Sequence, residues 1–363
     1  MTVNEGLENV VVAKTEVSLV DAEKGDLVYR GFRARDLARE KSFEEVAFLL
    51  LHGKLPETDE RKETLDKWAS ARELPASVRS VIDALSATHD LMSVLRTAVS
   101  ALGIGSPDYP PTLEQAADVI VKLPVIIAYG YRRRKGLEPV APRADLGHTA
   151  NYLYMLRGTE PSPVHVQALE AYLNLLMDHG MNSSTFTARV IASTRSDLVS
   201  AITGAIGALK GPLHGGAPSL VMDMLKEIGT KENAEPWIKQ RLESGGRLPG
   251  FGHRVYKTKD PRSEALRLIA TELSGSDAWL DLAVHVEQTA QDLLAVYKPH
   301  QKLYTNVEFY AAAVMNAIGF EPELFTPTFA LTRSVGWCAH IFEASQGRLV
   351  YPDSVYIGRL PSA

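Results

Sequence analysis

The sequence predicts a mainly α-helical fold with one small β-hairpin near its N-terminus, on three observations. One segment alone reads as paired strands, the later periodic segments repeat at helical spacing, and no βαβ alternation, internal repeat or low-complexity tract breaks the pattern. At 363 residues the chain is long enough for one large domain or two interlocked ones around a sizeable core. Its 45% hydrophobic and 23% charged residues are ordinary globular composition.

The hairpin comes first. In "TEVSLVDAEKGDLVYR", residues 15–30, two β-branched runs flank "DAEKGD", where Gly25 can supply the positive φ of a turn. Ser42 and Glu45 then form a capping box for the helix "FEEVAFLLLH", which Gly53 is placed to end. Residues 164–178, "VHVQALEAYLNLLMD", carry apolar side chains on nearly every side and predict a central helix buried all round. "DLVSAITGAIGALK", 197–210, is rich in Gly and Ala, a composition suited to close helix approach within a domain or across a dimer contact. Residues 279–297 show amphipathic spacing at Leu282, Val286, Leu293 and Val296. A last helix is expected to start with Thr326 as N-cap and Pro327 in the first turn and to run to about Ala344. Gly-rich turns at 211–216 and 245–252, and Gly319, mark places where the chain could cross between lobes.

Charge and cysteine usage narrow the function classes. Lys plus Arg number 39 against 44 Asp plus Glu, a formal net charge of -5, so the balance does not argue for nucleic acid as partner. Cys338 is the only cysteine, which excludes an internal disulfide and a multi-cysteine metal site, and a reducing, cytoplasmic setting is expected. The opening "MTVNEGLENV" does not read as a secretory signal, and no run of 18 uninterrupted apolar residues follows, so no membrane association is expected.

Three histidines stand among glycines: His179 in "MDHGMNSSTFTAR", His214 in "KGPLHGGAP" and His253 in "LPGFGHRVYKTKDPR". Glycine beside an imidazole lets a ligand approach the ring closely, and a neutral imidazole can polarise a carbonyl or move a proton. Taken singly, each could equally be a helix-end cap or a buried, hydrogen-bonded ring. Their wide spacing, without HExxH or a cysteine pair, does not suit a metal. Neither glycine run ends as a phosphate loop does, but "HRVYKTKDPR" gathers His253, Arg254, Lys257, Lys259 and Arg262, a cationic cluster suited to carboxylates or phosphates. In "KLYTNVEFYAAAVMNAIG", Asn306 and Glu308 fall at a helix start. A carboxylate there reads as a dipole-stabilised cap, or as a general base if donors stabilise the enolate it makes.

"GPLHGG", "GFGHRVYKTKDPR" and "NVEFY", in this order, with "LVYRG", "VLRTAVSALG" at 94–103 and "YIG" at 356–358, resemble the citrate synthase family over nearly the whole chain. The resemblance implies a two-domain helical subunit, usually a homodimer: a discontinuous large domain from 1–214 and 313–363, and a small domain, 215–312, that closes over the substrates. It implies condensation of acetyl-CoA with oxaloacetate and hydrolysis to citrate and CoA, with no metal and no cofactor beyond the CoA co-substrate. His214 matches the histidine that donates to the acetyl thioester oxygen, and His253 the one that polarises the oxaloacetate keto group. His179, Arg262 and Arg333 match binders of the oxaloacetate carboxylates. For CoA it implies backbone from Leu248 through Gly250 to Gly252, the Asn306 side chain, and Lys257 placed to meet a phosphate.

The chain departs from the family at two positions. Glu308 stands where most members have an aspartate base, one methylene shorter. Tyr351 stands where the family usually has an arginine, supplied across the dimer to an oxaloacetate carboxylate. Two alternatives follow: a 2-methylcitrate synthase using propionyl-CoA, since a pocket discriminates one methylene by only about 1 to 3 kcal/mol, or a catalytically silent CoA-binding relative.

Overall fold

The computed structural model describes residues 3–103, 109–215, 217–252, 260–273, 278–301 and 303–361. After a 3-10 turn at Glu5–Leu7, the chain forms a small antiparallel sheet in the order β1 (Ser18–Asp21), β2 (Asp26–Tyr29) and β3 (Phe32–Arg33). Val20 pairs with Leu27 and Tyr29 with Phe32. The expected hairpin is present, and Gly25 takes φ +63° in its turn. The third strand is too short to leave a period of its own in the sequence.

Sixteen α-helices follow among the described residues. The first six are α1 (Ala34–Glu40), α2 (Phe43–His52), α3 (Thr58–Ser70), α4 (Ala76–Leu85), α5 (Leu91–Leu102) and α6 (Leu113–Arg134). Next come α7 (His148–Arg157), α8 (Pro163–Leu176), α9 (Ser183–Ser193), α10 (Leu198–Leu209) and α11 (Ala217–Ile228). The last five are α12 (Lys231–Glu243), α13 (Pro261–Leu273), α14 (Ala278–Tyr297), α15 (Val307–Ala317) and α16 (Phe325–Ser345). The Ser42/Glu45 capping box forms on α2, and Gly53 closes that helix in the left-handed conformation.

Helix α16 is the axis of the core: 16 of its 21 residues are buried, as a helix surrounded on all sides requires. It packs on α6, α9 and α10. Helix α8 is enclosed only in its second half, from Ala168 to Leu176, while Val164 near its start is exposed. In α14 the buried stripe runs through Leu282, Val286, Ala290 and Leu294, and Val296 faces out at 72% exposure. An i, i+4 ladder thus prevails over the expected Leu293 and Val296 spacing.

The start of α16 also differs from expectation. A 3-10 turn at Pro322–Leu324 leads in, Leu324 is the N-cap, and the helix begins one residue before Thr326. The Thr326 hydroxyl donates to the Gly215 carbonyl at 2.9 Å instead of capping. This tie fastens the turn after α10 to α16.

A second buried polar feature lies where α2, α7 and α8 meet. Glu44 accepts the His148 N–H at 2.7 Å, and Glu170 accepts from the Phe43 N–H and the Thr149 hydroxyl, both at 3.2 Å. Burial, reinforced by the nearby Glu44 charge, pushes the Glu170 carboxyl up to about 7.

Candidate active site

A cleft of about 390 Å³ opens where the ends of α8 and α10, the starts of α9, α13 and α15, and the middle of α16 converge. His179, Asn182, His214, Gly252, Arg262, Asn306, Glu308, Phe329 and Arg333 line it, with Tyr172, Leu176, Leu213, Val307 and Ala311. Residues far apart in sequence are brought together here.

His179 lies in the turn that leaves α8. A helix ends with carbonyls that have no intrahelical donor, and those of α8 are taken by distant side chains and backbone. Thr332 donates to the Leu173 carbonyl, Arg333 Nε to Leu176 O at 2.9 Å, and the Gly336 N–H to Met177 O at 3.2 Å. The Tyr29 hydroxyl lies 2.9 Å from both the Leu175 and Asp178 carbonyls. Gly336 is required there, because an added Cβ would clash with Met177 O and the Asp178 carboxylate.

Arg333 is 2% exposed, with its guanidinium 4.6 Å above the Phe329 ring. Burial, with Arg262 nearby, lowers it to about 10, partly offset by Asp178, so it keeps its charge at neutral pH. Arg262 is 3% exposed and is gripped by Asp260, whose Oδ1 accepts from Arg262 N and Nε at 3.0 Å and whose Oδ2 accepts from Nη2 at 2.8 Å. The same Oδ2 accepts the Val307 N–H at 3.1 Å. One carboxylate therefore fixes Arg262 and the first turn of α15 together.

Asn306 is the N-cap of α15: its Oδ1 accepts the Glu308 N–H at 3.0 Å, its Nδ2 donates to Gly252 O at 2.9 Å, and its N–H donates to Gly250 O at 2.9 Å. The capping role considered for Glu308 thus falls to Asn306, which leaves the Glu308 carboxylate to line the cleft. Gly252 N–H donates to Tyr304 O at 2.8 Å, so the 250–252 loop is stitched along the approach to the helix. At Gly250, φ is +80° and a Cβ would press on Phe309. Burial raises the Glu308 carboxyl above its ordinary value, and Asp260 adds to this, while Arg262 and the Asn306 amide oppose it.

His214 follows α10. Its Nε2 lies 2.8 Å from Ser184 Oγ and 3.4 Å from the Ser184 N–H, at the start of α9. The Ser184 N–H can only donate, so Nε2 is taken as the acceptor and the proton placed on Nδ1, with the Ser184 hydroxyl then donating to Nε2 rather than to Asn182 Oδ1, which also lies 2.8 Å away. Trp337 Nε1 donates to Ser184 Oγ at 3.1 Å and holds the hydroxyl in place. Burial, then the Arg333 charge, lowers the imidazole to about 4. The ring is neutral at physiological pH, with one N–H to donate.

Of the residues expected at the site, His179, His214, Gly252, Arg262, Asn306, Glu308 and Arg333 meet in this cleft. Leu248 and Gly250 belong to the adjoining loop, with the Leu248 side chain buried. Tyr351 is 85% exposed on the tail after α16 and does not line the cleft of its own chain. His253 and Lys257 lie outside the described residues. Ser184 and Asp260 are the participants that sequence reading passed over. Asp260 was in view within "DPR", and Ser184 within "NSST" at a helix start. Among the described residues no three His, Cys, Asp or Glu side chains gather as metal ligands, and no helix is long and apolar enough to cross a membrane.

A family profile described as "Citrate synthase, C-terminal domain" matches residues 6–353. The chain belongs to the citrate synthase family. It is 42% identical to citrate synthase 2 of Bacillus subtilis, over 99% of this chain and 96% of that one. It is 39% identical to the 2-methylcitrate synthase of Mycobacterium tuberculosis, over 98% and 91%. Among solved structures, the citrate synthase of Thermoplasma acidophilum, in ternary complex with carboxymethyl coenzyme A and oxaloacetate, superposes with a TM-score of 0.91 at 30% identity, covering 100% of this chain and 98% of that one.

Proposed function

We propose that this protein condenses acetyl-CoA with oxaloacetate and hydrolyses the product to citrate and CoA, the step that brings acetyl units into the tricarboxylic acid cycle in the cytoplasm. One observation carries the reading: a raised carboxylate, a neutral imidazole with a single N–H, and two buried arginines line one cleft. Glu308 takes a proton from the acetyl methyl group while His214 Nδ1–H donates to the thioester oxygen, so the charge that develops on that oxygen is stabilised as it forms. The enol carbon attacks the keto carbon of oxaloacetate, whose carboxylates are held by His179, Arg262 and Arg333. His253 is assigned to the keto oxygen, which becomes the hydroxyl of the citryl thioester. Water then cleaves the C–S bond and CoA leaves. CoA is a co-substrate, bound along 248–252, Asn306 and Lys257, and no metal or other cofactor is required.

The segment 215–312 is assigned as the small domain that closes over the cleft against a large domain formed by 1–214 and 313–363, excluding water while the enol exists. A homodimer is assigned from the tail after α16, where Leu349, Tyr351, Tyr356, Ile357 and Leu360 are all exposed, as on an arm that covers a second copy and brings Tyr351 to its cleft. Thiol release measured with oxaloacetate plus acetyl-CoA, in the parent and in Glu308→Gln, tests the reaction. No turnover in the parent, or full activity in the variant, refutes the assignment. The Mycobacterium tuberculosis relative makes propionyl-CoA the second donor to assay, and a larger kcat/KM with it would reassign the acyl group.

A further inference from the structure

Asp178 and His340 take no part in the chemistry above, yet both side chains are fully buried beside the cleft. Asp178 immediately precedes His179. Its Oδ2 accepts from the Ser18 hydroxyl at 2.5 Å and from the Gly180 N–H at 2.8 Å, which closes the turn that carries His179. Its Oδ1 lies 3.3 Å from His340 Nε2, within ion-pair distance, and neither of these two buried atoms has a hydrogen-bond partner among the described residues. On the far side of the ring, His340 Nδ1 lies 3.1 Å from Arg189 Nη1. A guanidinium can only donate, so Nδ1 accepts and the ring proton sits on Nε2, toward Asp178. Arg189 is itself held by Glu343 Oε2 at 2.9 Å, and the other oxygen of Glu343 accepts the Glu16 N–H at 2.8 Å.

Two elements therefore converge on one carboxylate from opposite sides, α16 through His340 and the N-terminal hairpin through Ser18. Left unpaired at this depth, a carboxylate would be costly. Burial alone would raise its pKa, but His340 and Arg333 outweigh that and hold it below the ordinary carboxylate value. The charge is kept, and it is spent on the turn. We propose that Asp178 and His340 form a buried positioning pair that fixes His179 toward the substrate cleft, with Ser18 of the hairpin as its second clamp. The proposal rests on His179 binding an oxaloacetate carboxylate.

The experiment compares Ser18→Ala, His340→Leu, His340→Gln and His179→Ala in the full chain, with steady-state kinetics for both substrates. Ser18→Ala removes one hydroxyl from the edge of the assembly and so tests the pair without emptying it. The expected result is a rise in KM for oxaloacetate of about tenfold, the worth of one hydrogen bond to a charged group, with kcat and KM for acetyl-CoA little changed. His340→Leu should raise it further, and His340→Gln should restore most of it, because an amide can accept from Arg189 and donate to Asp178. In a His179→Ala background the Ser18→Ala effect should vanish. An unchanged KM in Ser18→Ala, or an equal rise in the His179→Ala background, overturns the pair as a positioning device for His179. If His179→Ala alone leaves the KM for oxaloacetate unchanged, the assignment of His179 fails, and the proposal falls with it.

Discussion

Glu308→Asp is the substitution that most directly tests whether the site is built around its own carboxylate. It keeps charge and chemical type and withdraws the carboxylate by one C–C bond, about 1.5 Å. The backbone cannot readily follow. The Asn306 N–H is tied to Gly250 O at 2.9 Å, the Val307 N–H to Asp260 Oδ2 at 3.1 Å, and the Glu308 N–H to Asn306 Oδ1 at 3.0 Å. Shifting this turn toward substrate would break bonds that also hold Arg262 and the 250–252 loop. A misplacement of about 1 Å costs on the order of 100-fold in rate, or about 2.7 kcal/mol of barrier. The expected result is therefore a kcat about 100-fold lower, with KM for oxaloacetate nearly unchanged, since Arg262 stays gripped by Asp260. Thiol release under saturating acetyl-CoA reads kcat, and a thermal melt checks that the fold is kept. A kcat within about threefold of the parent would refute the reasoning, because it would mean that the turn is free to adjust.

The remaining expectations concern pH and packing. Because burial raises the carboxyl of Glu308, the proposed base, and a base must be ionised to act, kcat/KM should fall as pH falls through a value above the ordinary carboxylate range; a limb at or below the ordinary value, in a pH series of initial rates, would contradict this. Glu170, raised to about 7, contributes stability that is fully present below its unfolded value of 4.5 and is lost as pH rises through 7. Glu170→Gln should therefore stabilise the protein by roughly 1–3 kcal/mol at pH 8 relative to the parent, an advantage that shrinks to nothing by about pH 4 in urea titrations. Gly336→Ala should cost about 1–3 kcal/mol by overpacking the end of α8, read as a lowered denaturation midpoint together with a raised KM for oxaloacetate.

What was legible in the sequence was local. Ser42, Glu45 and Gly53 act within one helix, and Gly25 within one turn, so their residue types alone carried the structure. The start of α16 was not local: Thr326 has the chemistry of an N-cap, but its hydroxyl is spent on Gly215, 111 residues away. Leu293 and Val296 fitted a helical period as well as Leu294 did, and only the neighbours of α14 chose between them. At the site, motif residues such as His214, Arg262 and Glu308 could be named because their type and setting are unusual. Ser184 and His340 could not, because an ordinary serine and a histidine in an apolar helix acquire meaning only from Trp337, Asp178 and Arg189, which arrive from elsewhere in the chain.

The end of α8 has a consequence for the order in which the molecule becomes competent. The groups that take the Leu173, Leu175 and Leu176 carbonyls of α8 and the Asp178 carbonyl just after it are 146 to 159 residues distant along the chain, some upstream in the hairpin and others downstream in α16. During synthesis the hairpin and α8 emerge early, but the turn bearing His179 stays uncapped on one side until the final helix leaves the ribosome and docks. A nascent chain arrested before α16 would then hold most of its helices and still lack an ordered turn at His179, so the cleft should be completed late and in one step.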